Sequence, residues 1–520
     1  MMFATAPADV LARLDALRAG DAPTHGGHVL SYVYDSGEAE LDELAAAAVR
    51  AMQPVNGLDP TTFGSVAALE RDLVALTRDL LGGDEDVVGT VTSGGTESCL
   101  LAVKTARDAW LAARGLEPGT ARPRLVAPVT VHAAFQKAAH YFGLALDLLP
   151  VGPDGAVAAA TVVDRLGDDV ALVVVSAPSY PHAALDPVAE VAAAAHAAGI
   201  PVHVDACIGG MALPFWPGLP DWDLRVPGVT SLSVDLHKYG YAPKGVSVLL
   251  HRGRDRQRGQ YFATTRWPGY PVVNPTLLGS RSGGPLAAAW AITQALGRDG
   301  FAELAGRSYR ATTALVEAVG AIEGLRVVGD PTGPLLAVAT DDGVAPERRV
   351  DPHLWADAAT AHGWVIQAQP SCPQPDGTVL PHTTHLTVTP VTERVLGDLV
   401  PALVAAADTV RGQARPEATA LVAPLAAALA TGAPVGAAQD TPDDGPQGAP
   451  RTAAPGTLDS ATAGALLGGL GLDPSRIGDD GPGVGPMAPL LAAVEALPAP
   501  VAERLLVELL ARLVEPRTAR

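Results

Sequence analysis

Ala171-Leu172-Val173-Val174-Val175-Ser176-Ala177 is followed by a helical stretch, Asp186–Ala198, and then by Pro201-Val202-His203-Val204-Asp205-Ala206. Two short runs rich in β-branched residues flank one helical pattern, which reads as strand, helix, strand. Gly199 stands where helices favour glycine, just past the last turn. Outward from this unit, Arg124–Pro128, Leu146–Val151, Ser231–Val234 and Val246–His251 are further runs suited to buried strands. Strands alternating with helices predict an α/β domain over residues 81–284, with a mostly parallel central sheet. In such sheets ligands sit at the carboxyl ends of the strands.

The pattern changes over residues 285–411. Two long helical stretches precede the strands Leu325–Val328 and Leu335–Ala339, a helix around His353–His362, the strands Trp364–Ala368 and Thr384–Thr389, and a helix from Glu393. This predicts a smaller α+β domain. Residues 1–80 read as an N-terminal helical segment, 412–456 as an Ala/Pro/Gly-rich linker and 457–520 as a helical tail. Gly432–Gly456 has the clearest linker composition, and Val501–Val514 carries an apolar stripe suited to docking on the body or a partner. No internal repeat is visible.

With 520 residues, 48% hydrophobic and 18% charged, the chain is long enough for more than one core. Its 56 acidic and 36 basic side chains leave a net charge of -20, which repels phosphate backbones and anionic lipid. A nucleic-acid role is therefore not expected. No apolar run reaches membrane-spanning length. Met1–Gly20 lacks a basic leader region and reads as a short amphipathic helix rather than a signal peptide. Cys99, Cys207 and Cys372 show no metal-ligand spacing and read as buried free thiols in a reducing compartment. These features predict a cytoplasmic protein without a metal.

Only four of the 36 basic residues are lysine: Lys104, Lys137, Lys238 and Lys244. Arginine serves as a solubilising charge but stays protonated and cannot act as an amine nucleophile. The remaining lysines are thus enriched for positions where arginine would fail.

Four segments carry the chemistry. Thr92-Ser93-Gly94-Gly95-Thr96-Glu97-Ser98 opens a helix, where glycines admit an anion and the first N–H groups are free to bind it; an ordinary capped turn has the same pattern. Asp205 ends a buried strand, where a carboxylate is costly without a cationic partner. A protonated pyridine nitrogen is one such partner, and a structural cap is the alternative. In Ser233-Val234-Asp235-Leu236-His237-Lys238-Tyr239-Gly240, Lys238 leaves a strand towards the sheet edge. Partial desolvation near cations is expected to lower its pKa and allow imine formation. His237 beside it is a candidate phosphate donor, and His132 in Val131-His132-Ala133-Ala134-Phe135 is either a ring-stacking residue or a helix cap.

Together these segments resemble the fold-type I pyridoxal-phosphate enzymes of the group II decarboxylase superfamily, and within it the sphingosine-1-phosphate lyase family. The resemblance runs through Thr92–Asp108, Val131–Gly143, Pro201–Gly210, Ser233–Gly245 and Gly279–Gly284, and it is most specific in His237-Lys238-Tyr239-Gly240-Tyr241-Ala242-Pro243-Lys244-Gly245. It implies pyridoxal 5′-phosphate as cofactor, with Lys238 as the Schiff-base lysine, Asp205 as pyridinium partner and His132 stacked on the ring. Gly95, Thr96 and His237 would hold the phosphate. The Gly279–Gly284 loop, including Ser280, would cross a homodimer interface to a shared site, and Tyr34 and Lys244 would reach the substrate.

Two departures bear on that substrate, a small-molecule amine. Asp59 stands where the lyases carry a phosphate-binding histidine, and a carboxylate repels a phosphate dianion. The strand Pro381–Thr389 holds no arginine to pair with an α-carboxylate, the next being Arg394. The expected reaction is aldol-type cleavage of a 2-amino-3-hydroxy compound to an aldehyde and an amine. His203, Tyr239 and the cofactor phosphate are all candidates to take the hydroxyl proton. The rivals are an amino-acid decarboxylase, an aminotransferase and a catalytically silent cofactor-binding scaffold.

Overall fold

The computed structural model describes residues 3–415, 460–469 and 487–516. The Gly432–Gly456 stretch lies outside the described residues. Seven strands form the main sheet: β1 (Val87–Thr92), β2 (Arg124–Pro128), β3 (Ala145–Leu149), β4 (Val170–Ser176), β5 (Val202–Asp205), β6 (Val229–Val234) and β7 (Ser247–Arg252). Their order is β1-β7-β6-β5-β4-β2-β3. Only β7 runs against its neighbours; β3, β2, β4, β5 and β6 pair in parallel. Every residue of β4 is buried, as expected where helices cover both faces of a parallel sheet. The β4-to-β5 crossover contains the helix Val188–Ala197, and Gly199 takes φ 70° at its end.

A second sheet, all antiparallel, orders the strands Leu325–Val327, Leu335–Thr340, Thr383–Thr387 and Gln367–Gln369. Its own core includes Leu336, Val338, Trp355 and Leu386. The two long helices expected after residue 285 form one run, Gly284–Gly320, broken at Gly297 where φ is 56°. Helix Pro390–Val410 starts three residues before Glu393, because Thr389 and Thr392 cap it reciprocally.

The first 80 residues divide between the two cores. Leu30 belongs to the small one, and its backbone bonds to Val365 and Thr387. Ala45, Val66 and Leu73 belong to the large one. They come from helices Ala39–Met52 and Gly64–Leu80. Helix Pro7–Arg18 buries none of its side chains.

At the other end, helix Ala499–Leu513 buries Ala502, Leu505 and Leu509. Asp357 of helix Pro352–Ala361 accepts from the backbone of Met487 and Ala488, while Arg415 holds Glu495 at 2.8 and 2.9 Å, tying helix Met487–Ala496 to the small core's side of the fold. Cys99 and Cys207 are buried, but Cys372 is exposed. It sits in a two-residue strand, Cys372–Pro373, outside either core, which corrects the expectation of three buried thiols.

Candidate active site

The carboxyl ends of β1, β5 and β6 converge on a cavity of about 340 Å³. Along β1 the chain turns at Ser93-Gly94 into helix Gly95–Ala112. Glu97, buried, accepts from Ser93 N at 2.6 Å and Leu277 N at 2.6 Å, pinning the loop. A side chain at 95 has no room: a Cβ there would meet Asp235 Oδ2 at 2.7 Å and Cys207 Sγ at 2.8 Å. Gly95 and Thr96 both line the cavity at the helix start, where free N–H groups favour an anion.

Asp205 ends β5 with 7% of its surface exposed. Its Oδ1 accepts from Cys207 N at 3.1 Å. Burial works to raise its pKa, but His132, Cys207 and Lys238 outweigh that and hold the carboxyl below its ordinary range. His132 lines the same cavity and also caps its helix, its Nδ1 accepting from Ala134 N at 3.2 Å. That bond leaves Nε2 as the N–H, so cap and ring contact are compatible roles.

Lys238 follows β6 by four residues. Its Nζ lies 3.1 Å from Asp235 Oδ2, and its pKa stands well above the ordinary value. Burial alone pulls it down, yet Asp235 prevails, with Tyr34, Cys207 and Asp205 adding to it. This corrects the expectation of a depressed lysine: the nearest charge is a carboxylate, not a cation. Asp235 lay in the motif unassigned. An aspartate three residues before a buried lysine was the signal that could have found it. His237 donates Nδ1–H to Val246 O at 2.9 Å, and its Nε2 lies 3.6 Å from Asp235. Burial lowers its pKa, against the opposing pull of Asp235.

A second cavity of about 620 Å³ shares His237 with the first. Tyr34 and Lys244 line it, the Lys244 ammonium 4.5 Å from the Tyr34 ring centroid. Burial brings the Lys244 pKa down to about 8 and raises that of Tyr34. Ala45, Ala46 and Val49 of helix Ala39–Met52 give this chamber an apolar wall, with Arg50 beside them. Small apolar residues and one arginine on an ordinary amphipathic helix carry no motif, so sequence reasoning passed over them.

Other candidates lie elsewhere. Ser280 is exposed and bonds to Asn56 Nδ2 at 3.3 Å, outside both cavities of its own chain. Asp59 is exposed in a turn, accepting from Thr61 and Thr62, which hold its pKa at about 2. His203 is buried beneath the cavity between Ser231 and Ser233. The Tyr239 hydroxyl donates to Pro334 O and Val388 O at the junction of the two cores. Neither reaches the cavity as a base, because both use their polar atoms for packing. Arg394 binds Gly37 O and Glu38, and no arginine lines the inner cavity among the described residues.

The inner cavity suits a flat, anionic, carbonyl-bearing heterocycle. It offers an amine, a buried carboxylate across from it and a glycine-lined helix start. Asp235 Oδ1 is buried without a hydrogen-bond partner among the described residues, as in a site that is polar by construction. These donors fit pyridoxal phosphate.

Known proteins resemble this chain over most of its described length. The profile of the pyridoxal-dependent decarboxylase conserved domain matches residues 56–337, and that of the C-terminal HTH domain of pyridoxal-dependent enzymes matches 398–512. A sphingosine-1-phosphate lyase of Dictyostelium discoideum is 39% identical over 59% of this chain and 58% of its own length. One from Rattus norvegicus is 36% identical over 69% and 61%. The chain thus spans about three fifths of these curated relatives. A solved sphingosine-1-phosphate lyase of Burkholderia pseudomallei superposes with TM-score 0.72 at 31% identity, over 84% of this chain and 97% of the other. A Lactobacillus brevis glutamate decarboxylase, 21% identical with TM-score 0.68 over 80% of this chain and 95% of its own, shares the fold.

Proposed function

The chain belongs to the pyridoxal-dependent decarboxylase family, with pyridoxal 5′-phosphate as its cofactor, and we propose that it is a carbon–carbon lyase. It cleaves a 2-amino-3-hydroxy, sphingoid-like substrate to an aldehyde and an amine. The observation that carries this reading is the adjacency of two unlike chambers. An inner one holds an amine and a carboxylate but, among the described residues, no arginine for a substrate carboxylate. An outer one pairs an apolar wall with Lys244 and Arg50, as an amphiphile with an anionic head requires.

When bound, the cofactor supplies an electron sink for the pair left beside the amine as the carbon–carbon bond breaks. Lys238 would hold it through Nζ, Asp205 would keep the ring nitrogen protonated and His132 would cover the ring. Gly95, Thr96 and His237 would hold its phosphate. Asp235 keeps a proton on Lys238 Nζ, ready for delivery into the cavity. Tyr34, held neutral by burial, offers a hydroxyl donor near Lys238. Lys244 and Arg50 take the anionic end of the substrate.

The working unit in this reading is a homodimer, with the Gly279–Gly284 loop and Ser280 reaching the partner's site. Exposed Phe262, Trp267, Tyr270 and Val273 next to that loop support a covered surface there. The net charge of -20 and the two buried free thiols support a cytoplasmic location. Among the described residues no helix is long and apolar enough to cross a membrane.

The test is product analysis of the cofactor-loaded protein with phosphorylated and plain 2-amino-3-hydroxy amines of increasing chain length. Aldehyde release is expected. Carbon dioxide from amino acids without aldehyde would transfer the assignment to a decarboxylase, and keto-acid-dependent amine transfer would make it an aminotransferase. A cofactor absorbance that vanishes in Lys238→Ala, with no turnover in either protein, would leave only a scaffold.

A further inference from the structure

Two buried thiols remain outside this chemistry. Cys99 lies one turn into the helix that starts at Gly95, and Cys207 lies two residues beyond Asp205. All three line the inner cavity. A sulfur from each cysteine and a carboxylate oxygen of Asp205 lie within 4.8 Å of one another. Cys207 Sγ is also 3.2 Å from Ser233 Oγ, and Cys207 N donates to the same carboxylate. The three ligands come from two elements locked into the core, so their convergence is built into the fold.

Zinc bound to thiolates has bonds of about 2.3 Å in a tetrahedron, which places neighbouring sulfurs about 3.8 Å apart. The present spacing closes to that by about 1 Å or less of side-chain movement. Without a cation, burial raises the Cys99 pKa, and the hydrogen bond with Cys99, followed by burial, raises that of Cys207 well above its ordinary value. A dication reverses that balance by taking the thiolates as ligands and releasing their protons. Sulfur donors select soft or borderline ions over magnesium or calcium.

We propose that the cofactor-free chain binds one soft divalent cation, zinc or cadmium, through Cys99 Sγ, Cys207 Sγ and Asp205, and that cation and cofactor exclude one another. Exclusion follows because the Asp205 carboxylate that ligates a metal is no longer available to a protonated ring nitrogen. Binding stands on the three ligands alone; exclusion rests on the cofactor reading above.

The full chain, stripped of cofactor and carrying Cys372→Ser to remove the exposed thiol, is titrated with cadmium and with zinc. Cadmium–thiolate absorbance and calorimetric proton release should report one equivalent. Cys99→Ala should abolish it while still loading pyridoxal phosphate with its usual absorbance. At a metal concentration 100 times its Kd, the apparent Kd for pyridoxal phosphate should rise about 100-fold in the parent and not in Cys99→Ala. Added cofactor should release the metal to a chromogenic chelator.

Unchanged stoichiometry in Cys99→Ala, or metal and cofactor held together, would overturn the proposal. So would loss of two titratable thiols without metal, which indicates a disulfide instead. If no cation binds while the cofactor loads normally, the metal site is wrong and the cofactor reading survives. If a cation binds but the cofactor never loads on Lys238, the cofactor reading falls and takes exclusion with it.

Discussion

The inner cavity and the outer chamber touch at His237, yet they are made differently. The inner one draws on Gly95 and His132 at helix starts, Asp205 at a strand end and Lys238 in the turn after β6. Lys238 is paired with the buried Asp235, so removing either leaves an uncompensated charge. The outer one is walled by Ala45, Ala46 and Val49 from a single helix, with Lys244 and Arg50 at its polar side. In the proposed reading, reaction type is set where residue chemistry is constrained, and substrate shape where only volume and charge matter.

The largest expected effect tests the inner half of that contrast. Lys238→Ala should cut turnover by about 10⁴-fold and abolish the lysine-dependent visible absorbance, followed by steady-state assay and spectrophotometry; surviving turnover would move the chemistry out of this cavity. Asp205→Ala would leave the cofactor's ring nitrogen without its buried counter-charge, a loss that costs about 3–5 kcal/mol. Turnover should fall about 10²- to 10³-fold, with cofactor affinity measured alongside to separate holding from activation.

The outer half predicts smaller, selective losses. Lys244→Ala should raise KM for a phosphorylated substrate about 10- to 100-fold, the loss of one charged hydrogen bond, and leave the unphosphorylated analogue and kcat nearly unchanged. Lys244 is cationic below its pKa of about 8 and neutral above it. Affinity for the phosphorylated substrate is therefore present below pH 8 and lost as pH rises through it, and Lys244→Ala should flatten that profile. Equal losses for both substrates would mean that Lys244 serves the inner cavity. Smallest of all, Val49→Phe should disfavour long-chain over short-chain substrates by roughly tenfold, about the worth of one misfitted group in an apolar pocket, read as a ratio of kcat/KM values.

Much of the large sheet was readable in advance because its strands are continuous apolar runs that only a doubly covered sheet accommodates. β1 was less visible, being half polar and at the edge, with Gly89 in its middle. The split of residues 1–80 between two cores was not readable, since Leu30 looks like any loop leucine until its backbone pairs with Val365 and Thr387. Within the site, the motif placed Lys238 correctly at the sheet edge but misjudged its charge environment. The sign of a pKa shift depends on which neighbour is nearest, and Asp235 at 3.1 Å decided it.

By itself the sequence pointed to an α/β domain with a small partner and to Lys238, Asp205 and the Gly94-Gly95 helix start as candidates, because imine and anion chemistry tolerate few residue types. Only the tertiary structure decided that Cys99 stands beside Cys207 and Asp205, that His203 and Tyr239 face away from the reaction, and that an N-terminal helix walls a chamber over Lys244. Those facts are distances between residues far apart in the chain, and they exist only once helices and strands have packed together.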